Sequence, residues 1–261
     1  MKKLVFIEGV SGVGKSTLTQ KLRNKLREMG FSADYYLEFD STNPIDFYCV
    51  AYFKQAEYSD LLVKYAEFTS AIKDNTIFAD DVRLIRYYKG DIAQFSAPLL
   101  DLLREREFCW HPINLVPMTE YTRVYRILWE RFAQNTDSKP DYLLFDGSLF
   151  HHPINDLTRN YNVSSHQAAE HVNTLLDVVS SLHPYVIYLS TDNIDERLQK
   201  ARISRGEPPC SEEKIKFWEA RKQADLAVIK QLSTPYKLYD ISQENWDAVL
   251  TEILNDIIKS K

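Results

Sequence analysis

Gly9-Val10-Ser11-Gly12-Val13-Gly14-Lys15-Ser16-Thr17 follows the apolar run Leu4-Val5-Phe6-Ile7 and precedes a helical pattern. A strand, a glycine-rich turn and a helix in that order make a phosphate-binding loop. Glycine lets the backbone curl so that successive amide N–H groups converge on phosphate oxygens, where side chains with a Cβ would crowd them. Lys15 supplies a point positive charge to the outer phosphates, Ser16 offers a hydroxyl to a magnesium ion, and the N-terminus of the following helix adds its partial positive charge. The chain has seven glycines, and Gly9, Gly12 and Gly14 are three of them. A glycine-poor sequence that concentrates glycine here uses it for backbone geometry. The expected phosphate contacts are Gly9, Ser11, Gly12, Val13, Gly14, Lys15, Ser16 and Thr17.

Outward from the loop, Leu18, Leu22, Leu26 and Met29 recur at helical spacing and Gly30 stands where a left-handed cap would stop the helix, so a helix is expected from about 16 to 29. Ala33 to Phe39 reads as a short second strand ending at Glu38-Phe39-Asp40. Three further apolar runs follow: Tyr142 to Phe145 ending in Asp146-Gly147-Ser148, Tyr185 to Leu189, and Tyr236 to Asp240. Ser164 and Gln167 form a capping box for a helix that faces the core through Ala168, Val172, Leu175, Val179 and Leu182, and Pro184 closes it. Helical patterns are expected at about 194–204 and 212–232, with a last amphipathic helix through Trp246, Val249, Leu250, Ile253 and Ile257. Strands alternating with helices imply an α/β fold whose parallel sheet is covered on both faces, with ligands at the carboxyl ends of the strands.

Residues from about 41 to 139 break that rhythm: roughly a hundred residues stand where a crossover needs far fewer. Thr119 to Ala133 reads as a helix, and Thr76 to Tyr88 as a strand or hairpin. The segment is expected to be an insertion on the substrate side of one domain spanning 1–261; packing alone is the alternative. The net charge of −5, with no concentrated Lys/Arg run, argues against a protein that grips long nucleic acid. Cys49, Cys109 and Cys210 are far apart with no CxxC pair, which suggests buried thiols rather than disulfides or zinc. No apolar stretch reaches the length of a bilayer span, so the expectation is a soluble, cytoplasmic chain.

Other residues must decide what the loop serves. Asp146, at a strand end, can reach the magnesium that Ser16 would hold; the alternative is a turn residue paired with Gly147. Glu38 or Asp40 could accept a proton from an acceptor hydroxyl or orient it, or be solvated carboxylates at a strand exit; Glu38 is preferred. Arg197, Lys200, Arg202 and Arg205, followed by Gly206-Glu207-Pro208-Pro209, could close as a lid over a transferring phosphoryl group or form a solvated helix face. Arg123 and Arg126, one turn apart, are expected to be solvated or salt-bridged surface residues, with binding of an anionic substrate group as the alternative. His151 and His152 are adjacent, so their side chains should diverge rather than form a metal pair and should serve a loop or cap, with a substrate contact near Asp146 as the alternative.

With these residues in hand, the chain resembles the P-loop kinases of the thymidylate and nucleoside kinase group. The stretch Asp146-Gly147-Ser148-Leu149-Phe150-His151-His152-Pro153-Ile154-Asn155-Asp156-Leu157 looks like the corresponding part of an uncharacterised bacterial branch of ATP-binding kinase-like proteins. The resemblance covers about 1–40 and 140–261. It implies a three-layer α/β/α P-loop fold with a five-stranded parallel sheet in the order 2-3-1-4-5, with the insertion between strands 2 and 3. It further implies ATP and Mg2+ as cofactors, Lys15, Glu38, Asp146, Arg202 and Arg205 in catalysis, and Ser16 and Asp146 on the metal. Two departures fall on the acceptor side: Gly147 stands where relatives commonly carry Arg, and Phe39 follows Glu38 where they carry Pro. The expectation is phosphoryl transfer from ATP to a small acceptor, a nucleoside, nucleotide or similar metabolite, with no long nucleic acid or membrane as partner and a homodimer left open. The alternative is a nucleotide-binding switch whose insertion responds to ATP.

Overall fold

The structure is a computed structural model that describes residues 2–134 and 139–259; part of the expected insertion, 135–138, lies outside the described residues. The first half runs β1 (Lys3–Glu8), α1 (Lys15–Glu28), β2 (Ala33–Tyr36), β3 (Val50–Lys54), α2 (Gln55–Lys64), α3 (Thr69–Asp74), β4 (Thr76–Ala79), β5 (Val82–Arg86), β6 (Tyr88–Lys89), β7 (Ile92–Ala93), α4 (Leu99–Glu105) and α5 (Met118–Gln134). The second half runs β8 (Tyr142–Asp146), α6 (His151–Asn160), α7 (Ser165–Val178), β9 (Tyr185–Ser190), α8 (Ile194–Ser204), α9 (Glu212–Ile229), β10 (Tyr236–Asp240) and α10 (Trp246–Lys259). The chain forms two compact units: unit 1 is Met1–Glu38, Asn135–Ile154 and Val163–Lys261, and unit 2 is Phe39–Gln134 with Asn155–Asn162.

Unit 1 is built on a parallel sheet in the order β10-β9-β1-β8-β2. Numbered among themselves along the chain, these five strands run 2-3-1-4-5 across the sheet. β1 sits at its centre, pairing with β8 through Ile7 and Asp146 and with β9 through Glu8 and Tyr188. All six β1 residues and all five β8 residues are buried, as a strand covered on both faces requires. Val5, Ile7, Leu144, Ile187 and Leu189 share one core with Leu18, Leu22 and Leu26 of α1 and Ile253 and Ile257 of α10. The helical spacing of those leucines thus places α1 against the sheet and fixes the loop at the carboxyl end of β1.

Several boundaries differ from the sequence reading. β2 ends at Tyr36, and Glu38 and Phe39 occupy a turn in which Phe39 has φ 64°. α9 stops at Ile229 rather than 232, whereas the Ser164–Gln167 capping box forms as read and opens α7.

Unit 2 has its own antiparallel sheet, β3-β5-β4, in which β4 and β5 form the hairpin. Ala51, Phe53 and Ile85 of the sheet pack with Tyr58, Leu61, Ile72, Leu99 and Leu103 of the surrounding helices. α5 buries Tyr121, Val124, Tyr125, Leu128 and Trp129, the three- and four-residue spacing of one helix face. All three cysteines of the chain are buried and free.

Candidate active site at the phosphate loop

The loop joins β1 to α1, and its glycines are required by shape. Gly9 has φ 142°, and a Cβ there would lie 2.7 Å from the Leu189 carbonyl oxygen, a distance no side chain tolerates. Gly12 and Gly14 also hold positive φ, 81° and 89°. Lys15 begins α1 and is buried, with its ammonium donating to the carbonyls of Gly9 at 3.0 Å and Val10 at 3.3 Å. Ser16 Oγ donates to Asp146 Oδ2 at 2.5 Å across 130 residues of sequence, bringing together two of the residues singled out above. Burial raises the Asp146 pKa, while the Lys15 charge and the Ser16 hydrogen bond pull it down. Its other oxygen, Oδ1, is buried with no hydrogen-bond partner among the described residues.

These residues fit a phosphate chain and a hard divalent cation. The loop is a cradle a Cβ would fill, and a hydroxyl beside a half-satisfied carboxylate is an oxygen-donor set of the kind magnesium takes. Among the described residues no group of three His, Cys, Asp or Glu side chains could hold a metal. Magnesium needs no such cage, because one or two carboxylates and substrate phosphates suffice.

Glu38 ends the first segment of unit 1, with its carboxylate Oε1 3.2 Å from His151 Nε2 and 3.6 Å from His152 Nε2. The expected divergence of the two histidines is therefore corrected. They open α6, where the helical turn brings both rings to the same oxygen, 5.6 Å apart by centroid. Burial opposes the Glu38 charge, but His151, His152 and the Lys15 charge outweigh it and hold the carboxyl well below the usual carboxylate range. Burial and Lys15 push His151 down to about 3, so a neutral imidazole donates its Nε2–H to an ionised carboxylate. Glu38 held this way is a weak base and a strong hydrogen-bond acceptor, which suits orienting a hydroxyl better than removing its proton. Gly147 makes room for this arrangement. At φ 70° its missing Cβ would sit 3.2 Å from His151 Cβ and 3.5 Å from Lys15 Cε.

Four residues of this environment went unmarked in the sequence. Trp218 of α9 stacks on His151, centroids 5.3 Å apart and planes 21° apart. Arg221 donates to the Phe150 carbonyl at 2.6 Å and pairs with Asp225 at 2.7 Å, and Asp225 accepts from Tyr188 at 3.0 Å. An Arg and an Asp four apart on a helix between apolar strands was the available signal. Glu8, the last residue of β1, is fully buried; its Oε1 accepts from the Leu149 amide at 2.8 Å and its Oε2 has no hydrogen-bond partner among the described residues. Burial raises its pKa to about 8, against the pull of the Leu149 amide and Lys15. The signal there was an acidic residue closing an otherwise apolar strand.

The arginine segment is not a free cationic patch. Arg197 is buried, donates to the Ile241 carbonyl, pairs with Glu244 at 3.3 Å and lies 5.7 Å from the Trp246 ring centroid. Lys200 pairs with Glu196 and Glu244. Arg202 donates to the Pro208 carbonyl and pairs with Glu207 at 3.2 Å, and Arg205 faces Glu207 at 3.7 Å. In unit 2, Arg123 pairs with Glu120 and Asp81 and Arg126 with Glu130, while Asp40 caps its own turn by accepting from Thr42.

No family model matches the chain, and no curated protein sequence does. Among solved structures, shikimate kinase from Bacteroides thetaiotaomicron aligns over 98% of this chain and 99% of its own, at 10% identity and a TM-score of 0.41. Likeness at that level fixes neither fold nor substrate, so the reading of the site rests on its own geometry.

Proposed function

We propose that the chain is a P-loop kinase that moves the γ-phosphoryl group of ATP to a small acceptor, a nucleoside, nucleotide or similar metabolite. The observation that carries this reading is the contact of Ser16 with Asp146 beside Lys15, at the carboxyl ends of two adjacent parallel strands. Gly9 to Thr17 would cradle the phosphates through backbone amides, with the Lys15 charge on the outer ones. Ser16 and Asp146 would hold Mg2+, which when bound neutralises charge on the phosphate oxygens. A nucleotide phosphate gives the Lys15 ammonium better acceptors than the two loop carbonyls it now uses.

Glu38 is assigned the acceptor. Its ionised carboxylate accepts a hydrogen bond from the acceptor hydroxyl and fixes that oxygen's orientation, and catalysis rests on positioning and charge neutralisation. Arg202 and Arg205 are the candidates to meet charge on the transferring group, which requires them to exchange Glu207 for phosphate.

The test is ATP consumption across a panel of nucleosides, nucleotides, sugars and polyols with magnesium. Turnover should rise sharply with one acceptor class, and Lys15→Ala should abolish it without unfolding the protein. Equal slow hydrolysis with every acceptor would favour the switch reading instead, in which ATP and magnesium protect residues 41–139 from protease.

A further inference from the structure

Two side chains of α9 reach the turn between β8 and α6, and folding stability explains neither. Arg221 is buried in an ion pair with Asp225, Nε to Oδ1 at 2.7 Å. A buried pair of this kind is seldom worth more to stability than apolar residues of the same volume. Trp218, one turn earlier on the helix, is buried with its Nε1–H lacking a hydrogen-bond partner among the described residues, a cost that a phenyl ring would avoid.

Both side chains act on the residue that faces Glu38. Arg221 donates through Nη2 to the Phe150 carbonyl at 2.6 Å and reaches the His151 carbonyl through Nη1 at 3.5 Å. Asp225, which holds its Nε, also accepts from the Tyr188 hydroxyl at 3.0 Å, so the guanidinium is fixed from β9 as well as from its own helix. Glu8, at the end of β1, takes the Leu149 amide at 2.8 Å. Leu149, Phe150 and His151 thus each have a main-chain group held by a side chain from another element. Rotation of the imidazole remains, and Trp218 restrains it by stacking on the ring, centroids 5.3 Å apart and planes 21° apart. Held at its root by Arg221 and on one face by the indole, the ring presents Nε2 to Glu38 Oε1 at 3.2 Å.

We propose that Trp218 and Arg221 are positioning residues: α9 sets the rotation of the His151 imidazole and the backbone beneath it, and His151 in turn aims the Glu38 carboxylate at the acceptor hydroxyl. The first half stands on the geometry of unit 1 alone, and the second rests on the phosphoryl-transfer reading. Loss of either side chain should spare ATP binding and misdirect the phosphoryl group, because a hydroxyl that is no longer aligned competes poorly with water.

Two measurements on the full chain test this. In 15N-labelled protein the His151 Nε2–H, assigned by its absence in His151→Leu, should give a slowly exchanging proton signal. Trp218→Leu should lose that signal to exchange with water, and Trp218→Phe, which keeps a ring to stack, should retain it. Arg221→Lys leaves a cation beside Asp225 but lacks the planar fork that holds Asp225 and the Phe150 carbonyl together, and it should lose the signal too. The second measurement is the ratio of phosphorylated acceptor to inorganic phosphate, with ATP, magnesium and the panel of nucleosides, nucleotides, sugars and polyols. It should fall about tenfold in Trp218→Leu and Arg221→Lys and recover in Trp218→Phe. A merely structural role would leave the ratio unchanged, because it does not depend on how much of the protein is folded. Absence of the imidazole signal from the parent, or its persistence in both Trp218→Leu and Arg221→Lys, would overturn the positioning role. An unchanged ratio in a variant that has lost the signal would overturn its bearing on the acceptor. Inorganic phosphate as the sole product of the parent would remove the phosphoryl-transfer reading, and the imidazole signal would still decide the first half.

Discussion

Replacing Glu8 by Gln should change how stability depends on pH by an amount the structure sets. The folded chain keeps the Glu8 proton up to about pH 8, whereas the unfolded chain releases it near the ordinary 4.5. Because the folded state binds this proton more tightly, its contribution to stability is full below about 4.5 and is lost as pH rises through about 8. Between pH 6.5 and 8, where His151 and His171, both pushed down to about 3 by burial, stay neutral in the folded chain, the loss is close to 1.36 kcal/mol per unit at the acid end and about half that at pH 8. Over that window it amounts to about 2 kcal/mol. A Gln carbonyl can still accept from the Leu149 amide, so the Glu8→Gln variant keeps the hydrogen bond and lacks the titration. The assay is urea denaturation of both proteins at pH 6.5, 7, 7.5 and 8. The parent should lose about 2 kcal/mol relative to the variant across the series, with equal m-values. Parallel curves would refute the assignment of a buried, protonated carboxyl at the end of β1. The same charge logic predicts that nucleotide affinity of the parent, but not of the variant, falls above pH 8, because an ionised Glu8 would repel phosphate.

Gly147→Ala should destabilise the fold by about 1–3 kcal/mol, since it forces a Cβ into left-handed backbone 3.2 Å from His151, and an unchanged urea midpoint would contradict that packing. His151→Leu removes the Nε2–H that faces Glu38, so the Glu38 carboxyl should titrate at higher pH than in the parent, read by 13C NMR of the carboxyl carbon; an unmoved titration would remove His151 as its partner. Ser164→Ala should cost about 1 kcal/mol through loss of the α7 cap, and a cost near zero in thermal melts would show that the cap is idle.

What was legible in the sequence was what local rules govern. The five sheet strands, the helix after the loop and the helix over Ile194–Ser204 follow from apolar periodicity and capping, and each reports on a few neighbouring residues only. The pairing of Ser16 with Asp146 was also within reach, because both stand at the carboxyl ends of strands that a parallel sheet must align. Glu38 was found for a similar reason, although its strand stops at Tyr36 and a turn carries it onward. The histidines were misread because adjacency in sequence implies divergence only in a strand or an irregular loop, and at the start of a helix both rings can reach one oxygen. Trp218 and Arg221 were hidden because they act on His151 across about 70 residues, and nothing local links α9 to the start of α6. The arginine segment misled in the opposite direction: its charges were visible, while Glu207 and Glu244, which answer them, are set by tertiary folding.

The most direct measurement of the central claim is a 31P NMR time course with ATP, magnesium and each acceptor of the panel, for the parent chain and for Asp146→Asn. Phosphoryl transfer predicts a new phosphoester or phosphoanhydride signal growing in step with ADP for one acceptor class, and its loss in Asp146→Asn. Inorganic phosphate as the sole product at one slow rate for all acceptors, or transfer unchanged in Asp146→Asn, would contradict it.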